Sequence, residues 1–193
     1  MKLSKSHKRV ARYSQGGLSL LIALSTLNAA GLSNLIITRV PDPEDADEEI
    51  ISDIKLRAGA TIHRYEFEED QAYYSDSTQF GNNIYPKHML GVKFAGKTVG
   101  LNRLSKVADL TRVTGICKTR MGEVVIVGAD NGLKNEQNNS GSGSAGGDFN
   151  GFDMVMGGAE SRKAELVPLP VFEALLAQID GAAAPAAPAG GGA

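Results

Sequence analysis

The chain has 193 residues and a mass of 20.3 kDa, the size of one domain or of one domain with arms. Hydrophobic residues at 42%, charged residues at 22% and a net charge of −2 exclude a disordered chain, a coiled coil and a uniformly basic nucleic-acid binder. A single cysteine, Cys117, excludes a disulfide scaffold and a cysteine-rich zinc site.

The charge comes in blocks. Residues 1–41 hold six Lys or Arg and no acid, residues 42–70 hold eleven acids against three bases, and residues 71–193 hold eleven of each. Blocks of this kind mark an arm or a polarised surface. Lys2, Lys5, Lys8, Arg9 and Arg12 precede the apolar stretch Leu18–Leu27, which has the outline of an export signal. Gly16, Gly17, Ser19, Ser25 and Thr26 dilute that stretch, and no clean Ala-x-Ala follows it. The preferred reading is a basic arm over residues 1–15, a buried strand Leu18–Leu24 and a second strand Leu35–Val40; an exported β-domain that loses residues 1–30 is the alternative. A membrane span needs about 20 continuous apolar residues, and Asn28 and Asn34 interrupt this region.

Pro41 to Glu49 carries six carboxylates in the eight residues from Asp42. These repel one another and demand water, so an exposed loop is predicted. The spaced ligands and central glycine of a calcium-binding helix–loop–helix are missing. Ile54 and Leu56 alternate with Lys55 and Arg57, Ala58-Gly59-Ala60 turns the chain, and Thr61–Glu68 alternates again. Period-two alternation with β-branched and aromatic members predicts antiparallel strands wet on one face. Tyr73–Phe80 is polar and aromatic, Gly81-Asn82-Asn83 is a turn, and Ile84–Phe94 reads as another strand.

Leu101, Leu104, Val107 and Ala108 fall at helical spacing and predict a helix over Leu101–Val113. Gly115–Thr119 and Val124–Gly128 form a hairpin about Arg120-Met121-Gly122-Glu123, and Asp130-Asn131-Gly132 is a turn signal. Residues 138–147, rich in Asn, Ser and Gly, read as a flexible loop. Phe149–Met156 and Ala164–Val167 supply later strands. Pro170–Asp180, within a 168–180 segment, forms a second helix with Val171, Phe172, Leu175, Leu176 and Ile179 on one stripe. Residues 181–193 are a low-complexity tail. Many strands without crossover helices predict a mainly β, α+β fold: an antiparallel barrel or sandwich with one flanking helix and a C-terminal helix.

Gly91-Val92-Lys93-Phe94-Ala95-Gly96-Lys97-Thr98 matches G-x-x-x-x-G-K-[ST]. In a phosphate loop the glycine amides wrap the phosphates, Lys97 reaches them and Thr98 holds magnesium. Val92-Lys93-Phe94, however, alternates as a strand continuing, and the hairpins around it do not make the parallel sheet such a loop rests on. A strand, a turn and a helix start is preferred, with nucleotide binding as the enzyme-class alternative. His7, His63 and His88 are scattered, and Cys117 among apolar hairpin residues is an inert buried thiol. No catalytic residue, metal ligand or cofactor is assigned.

Glu66, Glu68, Glu69 and Asp70 gather at one strand end, with Glu66 and Glu68 on the same side. Such a set serves solubility, or it serves a channel wall from which like charge repels passing DNA. Tyr73, Tyr74, Phe80 and Tyr85 sit on strands too polar to form a core alone, which fits either a protein interface or packing on the domain's own sheet.

The order of parts completes the pattern: Gly16-Gly17 before an apolar strand, an alternating strand ending in Phe67-Glu68-Glu69-Asp70, then Gly81-Asn82, strand, helix and a hairpin ending in Val124-Val125-Ile126-Val127-Gly128. A Gly-rich loop and Gly147-Asp148-Phe149-Asn150-Gly151-Phe152 follow. Over residues 16–167 this resembles the tail tube (major tail) proteins of tailed bacteriophages, especially those of phages of Bacteroidetes-type hosts. The resemblance implies a non-enzymatic virion protein, made in the host cytoplasm, that forms hexameric rings stacked into a tube through which DNA passes without specific binding or a membrane. It implies contacts with other tail or neck proteins, a bridging hairpin over residues 69–85, and arms over residues 1–15 joining rings. Lys5, Lys8, Arg9 and Arg12 of one ring would then meet Asp45, Asp47 and Glu48 of the next, with the acidic set toward the lumen and the four aromatics between subunits. The C-terminal helix and tail depart from that pattern and leave a neck, connector or terminator role as an alternative.

Overall fold

The computed structural model describes residues 16–183 except 44, 46, 69–70, 81–82, 97 and 143–149. The predicted basic arm, with Lys5, Lys8, Arg9 and Arg12, lies outside the described residues, as do Glu69 and Asp70.

The apolar run near the N-terminus becomes β1 (Leu18–Ser25), which lies second from one edge of a five-stranded sheet. Leu21 and Ala23 face one core while Leu20, Ile22 and Leu24 face another. A strand covered on both faces needs unbroken apolarity, which is why it mimics an export signal. Next come β2 (Leu35–Pro41) and β3 (Glu49–Leu56), a hairpin whose end is the acidic loop. β4 (Ile62–Glu66) returns to pair with β1, placing Leu20 opposite Glu66 and Leu24 opposite Ile62.

β5 (Ala72–Gln79) and β6 (Tyr85–Ala95) form the next hairpin. Gly96, at φ +77°, turns the chain into α1 (Val99–Leu110). Thr98 caps that helix: the Leu101 amide donates to its Oγ1 at 3.1 Å. The helix ends three residues short of the predicted Val113, because Val113 pairs with Ser25 and exchanges backbone bonds with Leu133. β7 (Val113–Thr119) and β8 (Val124–Val127) are the predicted hairpin.

β9 (Lys134–Gly141) corrects the loop prediction at residues 138–141; residues 143–147 of that prediction lie outside the described residues. Asn138–Gly141 pair with β10 (Gly151–Ala159), whose ladder holds a segment of poor intrinsic strand propensity. The two-residue β11 (Glu165–Leu166) pairs with β8, and α2 (Leu169–Ala183) runs three residues past the predicted end at Asp180.

The described residues thus build a mainly β, antiparallel fold with two helices. The sheet orders are β11-β8-β7-β1-β4, β5-β6-β10-β9 and β2-β3. Among the described residues every sheet keeps free edges, so the alternative of a closed barrel gives way to packed open sheets. One core lies between the large sheets, around Leu21, Leu90, Val92, Cys117, Val127 and Met154. The second lies on the other face of the five-stranded sheet, beneath β2–β3 and α2, around Ile22, Ile51, Ile54, Ile126, Phe172 and Leu175.

Candidate assembly surface

Side chains alternate along the four-stranded sheet. Ala72 and Tyr74 on β5, and Leu90 and Val92 on β6, belong to the first core. The residues between them, including Ser75, Ser77 and Gln79 on β5, occupy the opposite face. On that face Lys87 meets the Glu136 carboxylate at 2.9 Å, and Lys93 stands opposite Asp153. Gln137 and Asn139 add neutral polar groups. The sheet ends in two long strands, β5 and β9, each of eight residues and each paired on one side only among the described residues. Exposed edges of this length offer a row of backbone donors and acceptors to another chain.

The four aromatics separate. Tyr73 lies across Gly91 on the neighbouring strand, where any Cβ would collide with its ring, and remains 47% exposed. Tyr74 is half-buried and packs on the first core, and burial, with smaller contributions from Glu123, Cys117 and Asp76, raises its phenol pKa. Phe80 is 81% exposed and Ile84 71%, flanking the hairpin turn, with Tyr85 beside them at 40%.

Of the described members of the acidic set, Glu66 has its carboxylate paired within the chain. Glu66 ends β4 and pairs with Arg64 at 3.1 Å, and Arg64 also reaches Asp180 at 3.6 Å. β4 ends there, so Glu68 follows it in the connection, where its amide donates to Gln71 Oε1. Glu66 also belongs to the five-stranded sheet and not to the sheet with two long open edges.

The acidic hairpin end is partly met within the chain. Arg162 binds Glu49 at 2.8 Å and lowers the pKa of that carboxyl group, first by hydrogen bonding and then by charge. Arg39 makes a forked pair with Glu165, at 2.9 and 2.6 Å, which raises the guanidinium pKa. Asp45 Oδ1 accepts the Asp47 amide, and Asp45, Asp47 and Glu48 are exposed.

Residues 91–95 of the phosphate-loop pattern are strand β6, and the Thr98 hydroxyl is engaged in the helix cap; Lys97 lies outside the described residues. Cys117 is fully buried, and burial pushes its thiol pKa upward, away from nucleophilic chemistry at neutral pH.

Two buried groups escaped the sequence reading. His88, 2% exposed, accepts the Gly128 amide at Nδ1 and turns Nε2 toward Asp76 Oδ1 at 3.9 Å, while Asp76 Oδ2 accepts the Ala164 amide. Asp76 shares the Ala72, Tyr74 parity, so period-two counting places it inward. Glu160, 4% exposed, accepts the amides of Asp130, Asn131 and Gly132 at 3.0 to 3.2 Å. No local signal marks Glu160, because its partners lie 28 to 30 residues earlier in the chain.

An apolar recess of about 380 Å³ opens between β4 and α1, at the side of the sandwich. Its floor includes Val92, Phe94, Met154 and Met156, and half-buried His63 and Tyr65 form one wall. Tyr65 packs against Phe94, with ring centroids 4.8 Å apart.

Comparison with protein-family models, with curated proteins and with solved structures finds no match.

Proposed function

We propose that this chain is a structural subunit, a component of the tail tube of a tailed bacteriophage, whose four-stranded sheet joins copies edge to edge into rings that stack around a channel. The observation that carries the reading is the pair of long free strands at opposite ends of one antiparallel sheet. Successive antiparallel pairing makes β5 and β9 run in opposite directions. When β9 of one copy meets β5 of the next, alternation continues across the junction, and every copy has the same orientation about the axis. A head-to-tail contact of this kind closes when the rotation divides a full turn.

Six copies of a four-stranded sheet make 24 strands. At about 4.8 Å per strand the wall is about 115 Å around and about 37 Å across, and strand tilt widens it further. The uncovered face, where Tyr73, Met89 and Val155 stand among Ser, Gln and Asn side chains and Lys87 and Lys93 are set against Glu136 and Asp153, would line the bore. Near-neutral polarity gives a polyanion little counterion-release affinity for the wall. This assigns the lumen to a face different from the strand end carrying Glu66 and Glu68. The work of the protein, on this reading, is geometric, and the chain carries out no reaction.

Electron microscopy of the full chain at rising concentration tests the proposal. Rings or tubes about six subunits around are expected, closure following from a cyclic head-to-tail contact and the number six from the resemblance to tail tube proteins, and a monomer at every concentration overturns the reading. Single rings that never stack would move the assignment to a neck, connector or terminator position. Ser77→Pro and Thr78→Pro sharpen the test. Alternate amides of an edge strand point outward, so one of the two removes only an outward donor. That variant should keep the wild-type circular dichroism spectrum and lose ring formation.

A further inference from the structure

The five-stranded sheet ends at β4, a strand of five residues that pairs only with β1 among the described residues. The register fixes which of its backbone groups are occupied. The Phe67 amide donates to the Ser19 carbonyl at 3.1 Å, one step beyond the ladder in which Leu21 faces Tyr65 and Ala23 faces His63. Alternation along an antiparallel pair then turns the N–H and C=O groups of Ile62, Arg64 and Glu66 outward, away from β1. Beside this edge opens the apolar recess of about 380 Å³, with Ala108 of α1 across from His63 and Tyr65. An edge strand, an apolar trough and a helix side by side suit the uptake of a further strand. Main-chain bonds hold such a strand, and its alternate side chains enter the trough.

We infer that β4 and this recess form a strand-addition site for an extended segment of another protein, one with apolar side chains at every second position and basic side chains between them. The inference does not rest on the proposed ring, because β4 belongs to a different sheet from β5 and β9. The two faces of the incoming strand set its chemistry. One face follows His63 and Tyr65 toward Val92, Phe94, Met154 and Met156. No Lys, Arg, Asp or Glu lines the recess among the described residues, so a charge entering it would be buried without a partner. The other face continues that of Ile62, Arg64 and Glu66. There one cation, Arg64, stands between two carboxylates, Glu66 at 3.1 Å and Asp180 at 3.6 Å, which leaves an excess negative charge for a Lys or Arg to meet. The chain's own long edges do not fit the trough. β9 carries no apolar side chain, and β5 already turns Ala72 and Tyr74 into the first core.

Amide exchange and shift mapping by NMR on the full chain test the site. In the free protein the amides of Ile62, Arg64 and Glu66 should exchange as open amides at every concentration. Protection independent of concentration would assign the groove to the chain's own residues 1–15, and protection that grows with concentration would assign it to a second copy; either result overturns the inference. The probe is the acetylated, amidated peptide Lys-Val-Lys-Val-Lys-Val-Lys. It should slow the three amides about tenfold or more and shift the Met154 and Met156 methyl signals. An isomer with its valines clustered should bind about tenfold more weakly. Absence of binding, equal binding of the two isomers, or shifts confined to β5 and β9 overturns the site. N-methylated versions of the peptide separate strand pairing from plain apolar contact. Only alternate amides of a paired strand face its neighbour, so methylating one of the two sets, lysine or valine, should abolish binding while the other set is tolerated. Equal effects of the two sets would overturn strand addition.

Discussion

Tyr65 shows how a single residue carries both burial and a measurable titration. It faces the first core from edge strand β4, between Phe94 at 4.8 Å and Phe67 at 6.4 Å between ring centroids. Burial disfavours the phenolate and pushes the pKa from 10.0 up to about 12. The folded state therefore holds its proton where the unfolded chain releases it. The stability this contributes is complete below about pH 10 and declines as pH rises toward 12. Urea unfolding midpoints should fall across that window, and Tyr65→Phe should flatten the fall. An absorbance titration should find Tyr65 ionising well above pH 10. The alternation His63, Tyr65, Phe67 was legible because β4 is wet on one face, so its period reports burial directly. His88 was harder to read: its buried position follows from the parity of Leu90 and Val92, but its partner amide on Gly128 lies 40 residues away.

The turn Asp130-Asn131-Gly132 is held by a more distant element. Glu160, just beyond β10, accepts three successive amides there, and the Asn131 side chain donates to the Ala159 carbonyl. Arg112 donates to the carbonyls of Asn131 and Gly132. Gly132 sits at φ +75°, and a Cβ on it would overlap the Thr26 side chain, so the turn admits no larger residue. Glu160→Ala removes a charged acceptor from three donors and should cost about 2–3 kcal/mol in urea unfolding, with Glu160→Gln costing roughly half of that. The turn itself was legible from its Asn-Gly pair; its clamp was not, since tertiary approach alone brings Glu160 there. The same distinction explains the misplaced boundaries. Val113 fits a helical stripe, yet ladder partners on β1 and at Leu133 claim it as strand. Asn138–Gly141 has loop composition, yet β10 supplies its partner.

At the scale of the molecule, β1 ties two cores together while the elements outside it are held unequally. The facing sheets share the first core and extensive ladders. Among the described residues the β2–β3 hairpin pairs with no other strand. It rests on the second core, on α2 through a Gln178 side-chain bond to the Ile54 carbonyl, and on the Arg39–Glu165 pair. Leu175 is the fully buried centre of the α2 contribution. Leu175→Ala removes apolar contacts and leaves a cavity, at a cost of about 3 kcal/mol. Because local opening follows the least supported unit, that loss should appear as faster hydrogen exchange at the β2–β3 amides, with β6 and β10 keeping their protection. Uniform acceleration would instead mean that the cores open as one. The edges of the four-stranded sheet lie on the far side of β1 from Leu175, so the variant should assemble at the wild-type concentration even while its hairpin exchanges faster. A parallel loss of assembly would place the second core within the interface between copies.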